Sequence, residues 1–425
     1  MTQVLASPLF PQLDEEQVLD CVHCGICLSV CPTFDLLGTE GDSPRGRIYF
    51  VRGMMEGRIE LNPTVVRHLD TCLGCRACET ACPSGVQYGE ILAHARDAIE
   101  KHYPRDNRER LARQTLLDLL TQPKKLAPLL WGARTAGSFA GGALVRKANQ
   151  FLFGPKAPDM PLPANATMRV EALPQFTPAE TPRRARVVVL AGCVMQVLFQ
   201  RVNRATIQVL ARQGCDVVVP PEAGCCGALH THNGDLDGAR QRARALIEAL
   251  ERERFDAVIS NSAGCGASIK EFPALFHGEP RWEARARAIA GRTADASEYL
   301  ARLGMLPMEI PVRKRATYHD ACHLAHGQQV RSQPRSLLQA VPGLELVEFP
   351  NSDWCCGSAG IYNFLQPELA EQLQDRKIRN ILSVEPEVVV TGNPGCHSWI
   401  EAGLRRRGSP VAVLHTLEVL AKANG

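Results

Sequence analysis

The sequence predicts a chain in three parts: a largely helical α+β domain first, then two homologous α/β domains, each marked by a Cys-Cys-Gly triplet. Three observations carry this reading. Two dense cysteine runs fall within residues 1–105 of a 425-residue chain. From Arg184 onward, short β-branched runs alternate with amphipathic helical patterns: RVVVLAG, DVVVP, DAVISN, RATYHD, LELVEF, EVVVTG and VAVLHT. Strands separated by helices imply α/β units on largely parallel sheets. Third, the cysteine spacing of the first α/β stretch returns in the second.

Length alone argues for several domains, since 425 residues exceed one ordinary core. With 45% apolar and 22% charged residues, the chain matches soluble globular composition. A net charge of +3 lacks the electrostatic footprint of a nucleic-acid binder, so no nucleic-acid partner is expected. The longest apolar run, 187–195, is about half of the ~20 residues a membrane span requires. The start, MTQVLASPLFPQLDEEQ, has neither the basic end nor the apolar core of a signal peptide, which predicts a cytoplasmic protein. In a reducing compartment, seventeen clustered cysteines read as cofactor ligands and not as disulfides.

The first domain, 1–105, holds the runs Cys21-x-x-Cys24-x-x-Cys27-x-x-x-Cys31-Pro32 and Cys72-x-x-Cys75-x-x-Cys78-x-x-x-Cys82-Pro83. This is the spacing of a two-cluster bacterial ferredoxin. Three thiolates on a tight loop wrap one cubane, and the fourth, ahead of a proline, reaches the other cluster. Cluster A is therefore expected on Cys21, Cys24, Cys27 and Cys82, and cluster B on Cys72, Cys75, Cys78 and Cys31. Both are read as [4Fe–4S]. Zinc usually takes paired C-x-x-C or Cys/His sets, not two matched four-cysteine runs. Gly25 and Gly74 suit loops whose amides approach the sulfurs. Between the runs, Pro44 opens a helix capped by Ser43 or Asp42. Arg45, Arg47 and Arg52 on it either set positive charge beside a cluster or an acidic partner, or form a solvated face.

Residues 106–183 form a helical segment and a linker. Leu111, Leu116, Leu117, Leu119 and Leu120 have helical spacing, and 153–183 contains seven prolines. Stretch 111–153 combines Trp131, Phe139, Phe151 and Phe153 with basic Lys124, Lys125, Arg134, Arg146 and Lys147. Two readings stand: an interfacial helix that makes peripheral contact with the inner face of the membrane, or helices that pack the first domain onto the rest.

The last two domains, 184–310 and 311–425, repeat one plan. A strand leads to a single cysteine (Cys193, Cys322), then to Cys225-Cys226-Gly227 or Cys355-Cys356-Gly357, then to Cys265 or Cys396. The intervals are 31 and 32 residues, then 38 and 39. Each copy thus keeps four thiols, able to hold Zn²⁺, an iron–sulfur centre, or nothing as buried remnants. His319, His323 and His326 flank Cys322, while His230 and His232 follow the first triplet. They read as surface groups or as supports behind the ligands. Cys215, off the pattern, reads as a small core residue.

No G-x-G-x-x-G follows a strand, and no Walker or H-E-x-x-H motif occurs. Cubanes pass single electrons, so any substrate chemistry belongs to a partner, and no catalytic residue is assigned. The segments GDSPRGRIYFVR, CPSGVQYGEIL, AGCCGALHTH, SAGCGASIKEF and DWCCGSAGIYNF resemble the iron–sulfur subunit of bacterial glycolate oxidase. That family lies in a group with the iron–sulfur subunits of anaerobic glycerol-3-phosphate dehydrogenase and lactate-utilisation systems. The resemblance covers essentially the whole chain. It implies electron transfer within an oxidoreductase complex, from an FAD-containing subunit oxidising glycolate towards a quinone, beside a second flavoprotein-like subunit. D-lactate, L-lactate and glycerol 3-phosphate are the alternative substrates. The double motif also resembles the cysteine-rich domain of heterodisulfide reductases, whose pattern ends C-x-x-C. Here Ser262 and Asn393 replace the first cysteine of that pair, which argues against a self-contained disulfide-reducing enzyme.

Overall fold

The computed structural model describes residues 9–136, Gln150 and 162–425. Before Phe176 the described residues form helices and turns and no strand, so the first part is a helical region without a β component. Its core gathers Ile48 and Val51 of helix Pro44–Met55, Val65 and Leu69 of helix Pro63–Asp70, and Ile91 and Ile99 of helix Tyr88–His102. Helix Pro44–Met55 starts where Ser43 caps it, the hydroxyl accepting from the Gly46 amide at 3.0 Å.

Helices Asn107–Thr121 and Pro123–Ala136 lie across the remaining domains. Leu116 packs with Ile361 and Phe364, and Leu126 and Leu130 pack with Met195, Leu198 and Phe199. The described part of this segment is thus a packing element, although Leu111, Leu129 and Trp131 remain exposed. No helix among the described residues is long and apolar enough to cross a membrane. Phe139, Arg146, Lys147, Phe151 and Phe153 lie outside the described residues, as does the Arg134 side chain.

Two sheets follow. The first comprises β1 (Phe176–Thr177), β2 (Ala185–Val189), β3 (Cys215–Val218), β4 (Ala257–Ser260) and β5 (Thr293–Asp295), in the order β1-β3-β2-β4-β5. Only β1 is antiparallel. The second comprises β6 (Lys314–His319), β7 (Leu344–Val347), β8 (Val388–Thr391) and β9 (Ala412–His415), all parallel, in the order β7-β6-β8-β9. Without the edge strand β1, the two orders are identical, so the cysteine repeat is also a topological one. β4 and β8 are buried at every residue, as central strands covered on both faces should be.

The two copies share one core. Val187, Val189 and Ile259 of the first join Tyr318, Val388 and Val390 of the second in a single apolar cluster. Cys215, at the start of β3, is fully buried within it. Arg201 pairs with Glu418 at 2.5 Å across the same boundary.

The glycine of each triplet has a structural reason. Gly227 and Gly357 adopt φ of +85° and +92°, where a side chain is strained. A Cβ on Gly357 would also sit 2.6 Å from the carbonyl oxygen of Ala370, on the helix that closes the site. Gly408 has φ +64° but nothing within 4 Å. Replacing Gly408 with Ala should therefore cost only the left-handed strain, about 1–2 kcal/mol. Gly357→Ala should add about 1–3 kcal/mol of collision. Denaturant unfolding of both variants checks this, and equal losses would contradict it.

Candidate metal centres and the interdomain cavity

The two N-terminal cysteine loops have the same backbone. In each, the residues two and four positions after the first cysteine have positive φ: His23 and Gly25, then Gly74 and Arg76. These left-handed turns curl the loop so that amides face sulfur, and the Gly74 amide donates to Cys72 Sγ at 3.4 Å. Cys21, Cys24 and Cys27 line one cavity together with Cys82 of the other run, and Cys78 of that run reaches its wall too. Cys72, Cys75 and Cys78 line a second with Cys31. Pro32 starts a helix immediately after Cys31, which directs that cysteine away from its own run.

Charge differs between the two cavities. Arg47 is fully buried between Cys31 and Cys72. Its guanidinium donates to the His68 carbonyl at 2.7 Å and to Thr33 Oγ1 at 3.1 Å, with Asp42 at 3.6 Å. Burial opposes ionisation of Cys72, but Arg47 and Arg96, with a hydrogen bond from Tyr88, hold its thiol below the ordinary value. Burial pushes Cys75 and Cys78 well up. At the first cavity Arg45 donates to the His23 carbonyl at 3.0 Å while paired with Glu40, and burial pushes Cys27 up to about 11. Arg52 pairs with Glu56 at 2.7 Å and faces neither cavity.

In the α/β copies every motif cysteine follows a strand end. Cys193 opens helix Cys193–Leu198 after β2, Cys225 and Cys226 follow β3, and Cys265 sits in helix Ala263–Lys270 after β4. Cys322 follows β6, Cys355 and Cys356 follow β7, and Cys396 sits in helix Pro394–Arg406 after β8. These are the carboxyl ends of parallel strands, beside the point where strand order reverses. Within each copy the sulfurs touch in a chain: Cys193, Cys225, Cys226, Cys265, and Cys322, Cys355, Cys356, Cys396. Their mutual hydrogen bonds split the thiols, pushing Cys225 down and Cys193 and Cys226 up. The amides of Gly227 and Gly357 donate to Cys225 and Cys355 at 3.4 and 3.5 Å.

Both sets of four thiols line one cavity of about 180 Å³ that is partly open to solvent. Leu126, Leu130, Leu198 and Phe364 make part of its wall apolar. Ser262 and Asn393, which stand in place of further cysteines, turn towards sulfur as hydrogen-bonding groups. Ser262 bonds Cys265, and Asn393 Nδ2 donates to Cys396 at 3.5 Å. The second N-terminal cavity abuts this region, because Leu73 and Cys75 pack into the same cluster as Cys322 and Cys355.

Of the two readings of the histidines, the surface one fails. None is a surface group: His230, His319 and His326 are buried, and His232 and His323 are half-buried with ring centroids 4.6 Å apart across the copy boundary. The reason is that the helix and loop after each strand end face the neighbouring copy and the N-terminal region, not solvent. Thr80 Oγ1 reaches His326 at 3.0 Å, and Arg96 donates to the His232 carbonyl at 2.8 Å. Lys377, which the sequence reading missed, is buried beside Cys355, Cys356 and Cys396. A signal existed: Lys377 falls on the inward face of its helix, with Ala370, Leu373, Gln374, Ile378 and Ile381.

All these donor sets fit metal. Crowded buried thiols repel one another as thiolates and become a stable anionic set only around a cation.

Comparison with known proteins agrees with this. Residues 17–86 match the 4Fe-4S dicluster domain, and residues 187–270 and 316–401 each match the cysteine-rich domain. The "Probable glycolate oxidase iron-sulfur subunit" of Bacillus subtilis (strain 168) is 36% identical over 97% of this chain and 96% of its own length. The "Glycolate oxidase iron-sulfur subunit" of Escherichia coli (strain K12) is 34% identical, over 95% and 93%. "Lactate utilization protein A" of Geobacillus kaustophilus is 33% identical over 56% of this chain and all of its own length. A hypothetical protein from Helicobacter pylori shares the fold, with a TM-score of 0.50 at 10% identity over 98% of this chain and 77% of that one. With two relatives matched over nearly their whole length, the chain belongs to the family of glycolate oxidase iron–sulfur subunits.

Proposed function

We propose that this chain is the electron-transfer subunit of a glycolate-oxidising complex. The observation that carries the reading is the pair of cysteine-lined cavities, each holding three cysteines of one run with Cys82 or Cys31 crossing from the other. A ferredoxin-type module would hold two [4Fe–4S] clusters there, on Cys21, Cys24, Cys27 and Cys82 and on Cys72, Cys75, Cys78 and Cys31. A further zinc or iron–sulfur centre is assigned to the C-terminal thiols.

Oxidation of glycolate to glyoxylate releases two electrons and two protons. A partner FAD subunit would take them together, and clusters held by the two cysteine runs would supply one-electron carriers for the reduced flavin. From there they would pass towards a quinone, with a second flavoprotein-like subunit completing a cytoplasmic complex. The chain's own residues supply binding and charge: Arg47 and Arg96 beside the second cavity favour the reduced, more negative state of a cluster there. The placement of Cys75 beside Cys322 supports electron flow between the second cluster and the C-terminal cavity.

Two experiments test this reading. In Cys82→Ser the signal of the cluster on the first run should change, and in Cys31→Ser that of the second. Low-temperature electron paramagnetic resonance reads both, and loss of the cluster nearer in sequence would refute the crossed assignment. The isolated chain should oxidise none of glycolate, D-lactate, L-lactate and glycerol 3-phosphate with an acceptor dye. Purified with its partners, it should turn over glycolate fastest. Turnover by the flavin-free chain would sink the subunit assignment, and a preference for another substrate would replace glycolate.

A further inference from the structure

His319 is the last residue of β6, three positions before Cys322, and its side chain is fully buried. Nδ1 lies 3.1 Å from the carbonyl oxygen of Ser352. A carbonyl only accepts, so Nδ1 carries the ring proton and donates it there. Nε2 is thereby left as a bare lone pair, and among the described residues nothing hydrogen-bonds to it. A dry, unpaired acceptor of this kind is costly unless a positive centre meets it.

Two sulfurs are within reach of that centre. One ring nitrogen of His319 and the sulfurs of Cys356 and Cys396 all lie within 4.8 Å of one another. With Nδ1 engaged by Ser352, the nitrogen available for bonding is Nε2. Two thiolates and an imidazole suit zinc or iron, and the backbone carbonyl on Nδ1 is the support that metal-bound histidines ordinarily have.

Copy one cannot make this set. Leu190 stands three residues before Cys193, where copy two has His319. A second difference points the same way. Lys377 Nζ donates to the carbonyls of Asn351 at 2.5 Å and Ser352 at 3.2 Å, close enough to Cys355, Cys356 and Cys396 to feel their charge. The triplet glycines meet Ala239 in copy one and Ala370 in copy two, which sets the register of the two closing helices. Seven residues on from Ala239 is Leu246, followed by Ile247, both buried. Copy two thus buries an ammonium group beside these sulfurs, where copy one has leucine and isoleucine.

We propose that copy two binds a transition metal of the zinc or iron class on His319 Nε2, Cys356 Sγ and Cys396 Sγ, a Cys₂His set that copy one lacks. Its remaining coordination faces Cys355 and the shared cavity. This deepens the assignment of a metal to the C-terminal thiols and is independent of flavin, glycolate or quinone.

The test uses the full chain purified without oxygen, with zinc, iron and acid-labile sulfide measured per chain. His319→Ala should lose one metal centre relative to wild type while the resonance signals of the N-terminal clusters persist. Loss of zinc alone identifies a single ion, and loss of iron with sulfide identifies an iron–sulfur centre. Either result supports the proposal. Metal content unchanged in His319→Ala overturns it, even if Cys356→Ser shows that the thiols do bind metal. Should His319→Ala also disturb the N-terminal signals, His319→Cys and His319→Gln decide. The cysteine variant should keep the centre and the glutamine variant lose it, and identical behaviour of the two overturns the proposal. Wild-type protein with no metal beyond its N-terminal clusters would remove the whole C-terminal assignment.

Discussion

Crowded sulfur in a largely buried interior is the constraint on which the rest of this structure depends. Sixteen of the seventeen cysteines face one of three cavities, and most of them are buried or half-buried. Thiolates so close repel one another, and burial raises the cost further. The chain answers with fixed positive charge and aimed donors. Arg47 is buried beside Cys31 and Cys72, Lys377 beside Cys356, and amides of Gly74, Gly227 and Gly357 point at sulfur. Each cation is itself held by carbonyls or hydroxyls, as with Arg47 on His68 and Thr33, so it stays when the local charge changes.

Topology decides where the sulfurs meet. In a parallel sheet the loops at the carboxyl ends of neighbouring strands converge, so three strands deliver four cysteines to one place. Doing this twice with the same strand order, and fusing the two sheets through Val187, Ile259, Tyr318 and Val390, brings both sets to one cavity. The helices that follow the N-terminal region then close its apolar side through Leu126 and Leu130. A segment whose leucines and basic residues suggested a membrane surface spends its described apolar face on this contact instead.

Much of this was legible because the signals were local. Seven β-branched runs became β2, β3, β4, β6, β7, β8 and β9, while β1 and β5 escaped notice because two or three residues carry no periodicity. Strand order was not legible, since pairing is a long-range choice that no local pattern encodes. The cysteine spacing pointed to each group of four, but not to the meeting of the two C-terminal groups in one cavity, which depends on how the sheets pack. His319 looked like a flanking residue because its role rests on a carbonyl 33 residues away, at Ser352. Arg47 and Arg52 were indistinguishable in sequence; a turn and a half of helix separates a buried guanidinium from one paired with Glu56 at the surface.

The spread of the cavity walls along the chain has a consequence for biogenesis. Both N-terminal cavities have all their cysteines once residue 82 has been synthesised. The shared cavity lacks a sulfur until Cys396 emerges, and its walls draw on segments as distant as Leu126 and Ser398. At synthesis rates of about 5–20 residues per second, the two events are separated by roughly 15–60 s. Formation of these cavities is therefore divided in time. The two N-terminal sets of cysteines are complete while the ribosome is still translating, whereas the shared cavity waits for the chain to reach Cys396.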